Sequence, residues 1–485
     1  MFAPWAFLQA QVSIPADMAW LSLAAEKFIA GARMSEAFHD SNPPLCYLIY
    51  LPVAWLKTVG LPLWVAGFAY GLGIVALFAT LAALLILRTA ALSQAAAAAL
   101  IIGYLMPLTF LYQIEFGNKD HLIAAALLPF LLAQAALLSR PQCGRPLIWM
   151  TLILATPFIL MKPHYGLLPA CMLAQRFFSG RGFKVLRDPD FLCLACGVIL
   201  YGLIVAVWFG DYLSDILLRV SLELYAGIVM YDVFKTAAAL AVFSGLLWAF
   251  AHFAEAASED KRCARFLAGM SFLAVIPFAV QMKGFSLHMI PYLSLAMPAA
   301  AMIAGFYLPV RYTQRQRSLG LALFFLVTGY GFSLANPYTT HNDYRNTAVA
   351  GLLRNKADSG FLMQSASTNV VIPLSVYTDK PHASRFSSFW FVRHLSHRRD
   401  PDLTAYYARM VAEDMEKYKP GVILLYHEPE PEDDVLAVLG QNEFFKKAWF
   451  PYRKRDAIRI VREEFYRRPA VKTPFHEIYD IYIRE

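Results

Sequence analysis

Ten apolar runs dominate the 485-residue chain, and they restrict it to very few folds. They lie at about 61–87, 92–113, 121–139, 146–161, 165–178, 189–209, 234–254, 266–282, 287–308 and 318–335. A helix that crosses the hydrocarbon core of a bilayer needs about 20 residues, and it satisfies its own backbone hydrogen bonds where no water can. Most of the runs meet that length. The pair at 146–178 is shorter and is interrupted by Lys162-Pro163-His164. Composition agrees: 58% of residues are hydrophobic and 16% are charged, against about 25% charged in soluble domains. The expectation is an α-helical polytopic membrane protein.

The charges are unevenly placed. Residues 337–485 hold 42 of the 78 Lys, Arg, Asp and Glu side chains, 22 basic and 20 acidic, while the first 336 residues share the other 36. That split predicts a transmembrane domain at 1–336 and a water-exposed domain at 337–485. The net charge of +8 sits mainly in short loops between apolar runs, so it reads as a membrane-orientation signal and not as a nucleic-acid surface. One set of loops carries Arg88; Arg140 and Arg145; Arg176, Arg181, Lys184 and Arg187; Lys261, Arg262 and Arg265; and Arg311, Arg315 and Arg317. By the positive-inside rule this set faces the cytoplasm. The alternate set, 39–60, 114–120, 162–164, 210–233, 283–286 and everything after 336, faces outward. The ten spans place residues 40 and 340 on the same outer side.

Several stretches need separate readings. MFAPWAFLQAQVSIPAD has only a short apolar segment before Asp17 and lacks the basic n-region of a secretory signal, so a truncated or atypical first helix is expected. Cys193 and Cys196 form a CxxC inside an apolar run without a second pair, which fits a packed helix better than a zinc or redox site. The tail has no cysteine. It reads as a small α/β domain, with NVVIPLSVY, GVILLYH and EIYDIYIRE as strands. DLTAYYARMVAEDMEKY and EDDVLAVLGQNEFFKKAW read as helices.

Ionisable groups near membrane depth are costly, so their presence is a functional hypothesis. Nearly all of them fall in the outward loops: Asp17; Glu26 and Lys27; His39, Asp40 and Asn42; Glu115, Asn118, Lys119, Asp120 and His121; Lys162 and His164; Lys283, His288 and Tyr292. Taken singly, each has an ordinary explanation. Glu26 and Lys27 fit a solvated helix face, Asp40 a turn, and His121 a loop or packing residue. Together they bring carboxylates, lysines and histidines to one membrane face. A carboxylate there can take a proton from a hydroxyl, and lysines can hold a phosphate and stabilise a leaving group's charge.

The order of these motifs resembles the membrane glycosyltransferases of the GT-C class, in the branch of the protein O-mannosyltransferases and the lipid A aminoarabinose transferase. Asp17 opens a first outer loop at 15–60, AEKFIAG matches its amphipathic helix and glycine, and NPPLCYLIYLPVAWLKTVG matches its PPL segment. Asp120 in FGNKDHLIAAALLPFLL, Lys162 in MKPHYGLLP and the segment KGFSLHMIP at 283–291 match later family positions. Three departures stand out: Asp17-Met18 replaces the usual acidic pair, HDSN precedes PPL, and, most seriously, the expected truncated first helix lacks the span that would anchor Asp17.

The resemblance implies about eleven spans with an outer C-terminal domain. It implies inverting transfer of a sugar from a polyprenyl-phosphate-linked donor to a lipid, glycan or protein acceptor at the outer face of a bacterial inner membrane. Asp17 would be the general base on the acceptor and Asp120 would help position a substrate. Lys162 and Lys283 would bind the donor phosphate, with His164, His288, Asn42 and Glu115 as further substrate contacts. The two prolines would start a helix lying along the membrane surface. Nothing in the sequence requires a metal or another cofactor; the acids and histidine at 115–121 lack a metal-ligand spacing. A transporter or lipid flippase, or a non-catalytic envelope-assembly scaffold, is the alternative. A transporter would carry polar residues through the full membrane depth.

Overall fold

The structure of the chain is a computed structural model. It describes residues 13–89, 91–111, 115–139, 144–225, 232–284, 286–307, 347–357, 359–365, 368–426, 434–463 and 474–485, with isolated positions 313, 316 and 320. In chain order the helices are α1 (Ala16–Ile29), α2 (Met34–Ala37), α3 (Pro44–Ile49), α4 (Leu51–Thr58), α5 (Leu63–Thr89), α6 (Gln94–Met106), α7 (Lys119–Ser139), α8 (Arg145–Leu160), α9 (Leu167–Arg176), α10 (Pro189–Trp208), α11 (Val233–Phe253), α12 (Ser258–Val280) and α13 (Ile290–Phe306). The tail contributes α14 (Ala348–Lys356), α15 (Thr368–Thr378), α16 (Phe391–Arg398), α17 (Pro401–Tyr418), α18 (Val435–Leu439) and α19 (Glu443–Trp449). Its strands are β1 (Phe361–Gln364), β2 (Val422–Tyr426), β3 (Tyr452–Glu463) and β4 (Pro474–Arg484).

Two compact units result. Among the described residues one holds 68–206 and those between 232 and 320, and the other holds 13–67, 207–225 and 347–485. Seven described helices are long and apolar enough to cross a membrane: Leu63–Thr89, Gln94–Leu111, Lys119–Leu137, Pro189–Trp208, Val233–Phe253, Ser258–Val280 and Leu287–Phe306. The expected pair at 146–178 is indeed short, with 16 residues in α8 and 10 in α9. The expected span at 318–335, apart from position 320, and the N-terminal stretch through residue 12 lie outside the described residues.

In the first unit, close helix crossings depend on glycine. A β-carbon at Gly103 of α6 would come within 2.7 Å of the Met297 carbonyl of α13, and one at Gly197 of α10 within 2.6 Å of Thr156 of α8. Pro129 lies inside α7 and has no amide to give the Ala125 carbonyl four residues back. The buried Tyr104 hydroxyl of α6 donates to that carbonyl instead, so the helix interior keeps its polar groups paired. Ser93 caps α6 through Ala96, and its own amide and hydroxyl donate to Asp260 in the first turn of α12, at 3.0 and 2.7 Å. Two helix starts are thereby fixed at one end of the bundle.

The second unit joins three segments that are widely separated in sequence. Its tail carries a four-stranded sheet of order β1-β2-β4-β3, with β1–β2 parallel and the other pairings antiparallel. The core packs Leu362 and Ile423 of the sheet against Phe386, Phe389, Phe391, Tyr407 and Val411. The first loop packs with this tail: the Ile14 amide donates to the Tyr377 hydroxyl at 2.7 Å, and Arg385 Nη1 reaches the Ser35 carbonyl at 3.5 Å. Residues 209–215 join them through a Phe28–Phe209 ring stack, the Ser35 amide on Asp211 at 2.8 Å and the Tyr406 hydroxyl on Asp215 at 2.8 Å.

The tail corrects two sequence expectations and adds one strand. NVVIPLSVY is helix α15, not a strand. Val371, Ser375 and Thr378 are buried at helical spacing, so tertiary packing overrides the strand preference of its β-branched residues. EDDVLAVLGQNEFFKKAW is two helices, because Asn442 caps a new start with its side chain on Phe444 and Phe445. The highly charged YRKRDAIRIVRE forms edge strand β3, where charge discourages pairing with other chains. GVILLYH and EIYDIYIRE supply strands as expected.

Candidate functional site

In the first unit, helix direction alternates so that the start of α7, the end of α8, the end of α12 and the start of α13 meet. Asp120 sits in the first turn of α7 and is 0% exposed. Asn118 caps that helix, its Oδ1 accepting the His121 amide at 2.9 Å. His121 accepts the Gly117 amide on Nδ1 at 3.2 Å and places Nε2 2.8 Å from the Leu108 carbonyl. Its ring nitrogens therefore secure the turn before α7. Gly117 has φ +79°, a conformation that side-chain-bearing residues rarely adopt.

Lys162 follows α8 and directs its ammonium at both Asp120 oxygens, each at 2.8 Å. The same Nζ donates to Gln281 Oε1 at 2.8 Å. His288 Nδ1 stands 3.3 Å from Lys162 Nζ and 3.4 Å from Asp120 Oδ2. In one tautomer it accepts from the ammonium; in the other it donates to the carboxylate. The Tyr165 hydroxyl approaches the His288 carbonyl and receives Gln281 Nε2, each at 3.4 Å. Three of the sequence-derived candidates, Asp120, Lys162 and His288, thus form one contact cluster. Gln281 and Tyr165 complete it, although their neutral side chains gave no signal in the sequence.

The other candidates occupy distinct places. Lys283 lies two residues beyond Gln281, 2% exposed, and burial draws its ammonium down to about 8. The intervening Met282 has φ +57°, a rarely populated conformation for a residue with a side chain. His164 packs its ring against Tyr165, centroids 4.8 Å apart. Burial, aided by the Lys162 charge, pushes it down to about 4, so it is neutral at pH 7. Glu115 accepts from Asn118 Nδ2 at 2.6 Å beside the start of α7.

Asp17 and Asn42 belong to the second unit. Asp17 is half-buried in the first turn of α1. One turn on, Trp20 Nε1 donates to Asp40 at 2.7 Å, and Asn42 Nδ2 donates to the same Asp40 oxygen at 2.6 Å. The local stretch HDSNPPL therefore fixes a buried carboxylate, and helix α3 begins at its second proline, Pro44. Asp40 is more than a turn residue. Glu26 and Lys27 are likewise more than a solvated face: Lys57 bonds Glu26 at 2.8 Å, and Lys27 Nζ donates to the Ala37 carbonyl at 2.6 Å and the Ser384 carbonyl at 3.4 Å.

Taken together, the chain is a polytopic α-helical membrane protein with a small sheet-bearing tail and ionisable side chains at helix ends. Solved structures share this fold. A structure of ArnT from Cupriavidus metallidurans bound to undecaprenyl phosphate superposes with a TM-score of 0.52 at 12% identity, covering 98% of this chain and 95% of that one. The apo state of the same protein gives a TM-score of 0.52 at 14% identity, over 97% and 94%. The fold is therefore ArnT-like, as the motif resemblance implies. No protein-family model matches the chain, and no curated protein sequence matches it.

Proposed function

We propose that the chain is a membrane glycosyltransferase that moves a sugar from a polyprenyl-phosphate-linked donor to an envelope acceptor, with inversion, at the outer face of a bacterial inner membrane. The observation that carries this reading is the Asp120–Lys162–His288–Gln281 cluster, placed at helix ends within an ArnT-like fold. That the ArnT neighbour is bound to undecaprenyl phosphate supports a polyprenyl-phosphate donor.

In this reading the acceptor hydroxyl attacks the anomeric carbon from the face opposite the phosphate. The new glycosidic bond forms as the bond from that carbon to the phosphate oxygen breaks, and the lipid phosphate leaves with the bonding pair. The half-buried Asp17 takes the hydroxyl proton. Lys283 supplies the positive charge that meets the phosphate. Lys162 serves mainly through its pairing with Asp120, which leaves a neutral, rigid pair and not an isolated cation. Asp120 and His288 orient it, while His164, Glu115 and Asn42 border the substrates. The tail is the outer domain that helps select the acceptor.

The test is consumption of lipid-linked sugars, followed by mass spectrometry in purified membranes supplied with envelope acceptors. Wild type should consume one lipid-linked species, and Asp17→Asn should be slower by about a hundredfold or more while remaining folded. No consumption by folded wild type across a panel of lipid-linked sugars would reject the transferase reading.

A further inference from the structure

At the far end of the first unit lies a second charged cluster. Arg176, in the last turn of α9, is 1% exposed although the sequence reads it as a loop cation. Its guanidinium bonds Asp188 at 3.0 Å and also Asp190, which opens α10 and is 0% exposed. Gln134 of α7, also 0% exposed, donates through Nε2 to Asp190 at 2.6 Å and to the Pro169 carbonyl of α9 at 3.3 Å. Arg181 closes the set on Asp188 at 2.9 Å.

The same two chain segments are therefore joined twice. Asp120 and Gln134 lie on α7, 14 residues and about 21 Å of helix apart. Lys162 and Arg176 lie on the segment that enters and completes α9. Pairing at one end is Asp120 with Lys162; at the other it is Gln134 with Pro169 and, through Asp190, Arg176. The Tyr104 bond to Ala125 holds α7 together across Pro129 between the two points.

Stability alone does not explain the second cluster. Buried ion pairs gain little over apolar packing. Among the described residues, this one also leaves Arg176 Nε, Gln134 Oε1 and Asp190 Oδ1 without a hydrogen-bond partner. The best-attested use of such groups is to select one register among several.

We propose that Gln134, Arg176 and Asp190 are positioning residues: they fix the register of α7 against α9 and so hold Asp120 on Lys162. The functional consequence rests on the transferase reading, but the geometric claim does not.

The test replaces the brace with apolar residues of similar size, Gln134→Met, Arg176→Met and Asp190→Leu together, in the full chain in detergent. Two readouts are taken: thermal unfolding, and the labelling rate of Lys162 by a small amine-acylating reagent, resolved by peptide mass spectrometry. Lys57, paired with Glu26 in the other unit, is the internal control. The groups facing Lys162 include Asp120, His288 and Gln281, with His164 close by. Lys162 labelling should rise at least about tenfold, with Lys57 unchanged and the unfolding temperature shifted by only a few degrees. Unchanged Lys162 labelling in folded variant, whatever its unfolding temperature, overturns the proposal. If the triple variant does not fold, Gln134→Met alone is judged by the same criterion. If labelling rises but wild type shows no transfer, the brace stands and the transferase reading fails.

Discussion

Asp120 and Lys162 illustrate what a buried pair costs when it is broken. Asp120→Leu or Lys162→Met alone leaves an uncompensated charge and should destabilise by about 3–5 kcal/mol. The double replacement should recover most of the unfolding temperature while transfer stays lost, which calorimetry and the membrane assay together would show. Lys283 makes a second prediction. Burial holds it at about 8 when folded against 10.5 in its unperturbed state, so the unfolded chain binds more protons in that window. Stability should therefore rise as pH climbs from 8 towards 10.5. Donor affinity should fall over the same window, because only the ammonium attracts phosphate. The opposite signs separate the two effects, and a donor titration in Lys283→Arg should lose the alkaline fall. These residues were visible in the sequence because charge is conspicuous beside apolar runs. Gln281 and Tyr165 were not, since an amide or phenol at a helix end attracts no notice until its partners are known.

For the helices, the decisive contacts are those that bring backbones close. Gly103→Val would force α6 away from Met297 and Pro298 and should cost roughly 1–3 kcal/mol or more, seen as a lower unfolding temperature. Asp260→Ala removes both acceptors for Ser93 and should cost about 1 kcal/mol through the start of α6. Seven of the ten expected span positions followed directly from the apolar runs, because hydrocarbon admits only self-satisfied helices. Elements of the tail were harder. The same β-branched residues that suit a strand lie in α15, while charged β3 hid at a sheet edge. Which of these states forms depends on neighbours distant in sequence.

Across the whole molecule, the second unit depends on segments separated by more than a hundred residues. His39, 1% exposed, lies edge-on to Phe386 and Tyr407, and burial lowers it to about 4. Folded His39 binds fewer protons than unfolded His39 between 6.5 and about 4, so stability should drop as pH falls through that window. Limited proteolysis of the tail at pH 7 and pH 4.5 should reveal this, and His39→Phe should flatten the difference. The sequence by itself determined the membrane class, the positions of the seven described membrane-length helices, the split in charge and most of the charged members of the first-unit cluster. Each of these follows from local hydrophobicity or from the cost of charge near lipid. Only the tertiary structure decided that Arg176 is buried, that Lys162 spends its charge on Asp120, and that the first loop packs with the tail. Those outcomes depend on which distant groups are brought within hydrogen-bonding reach, and a linear pattern carries no such distances.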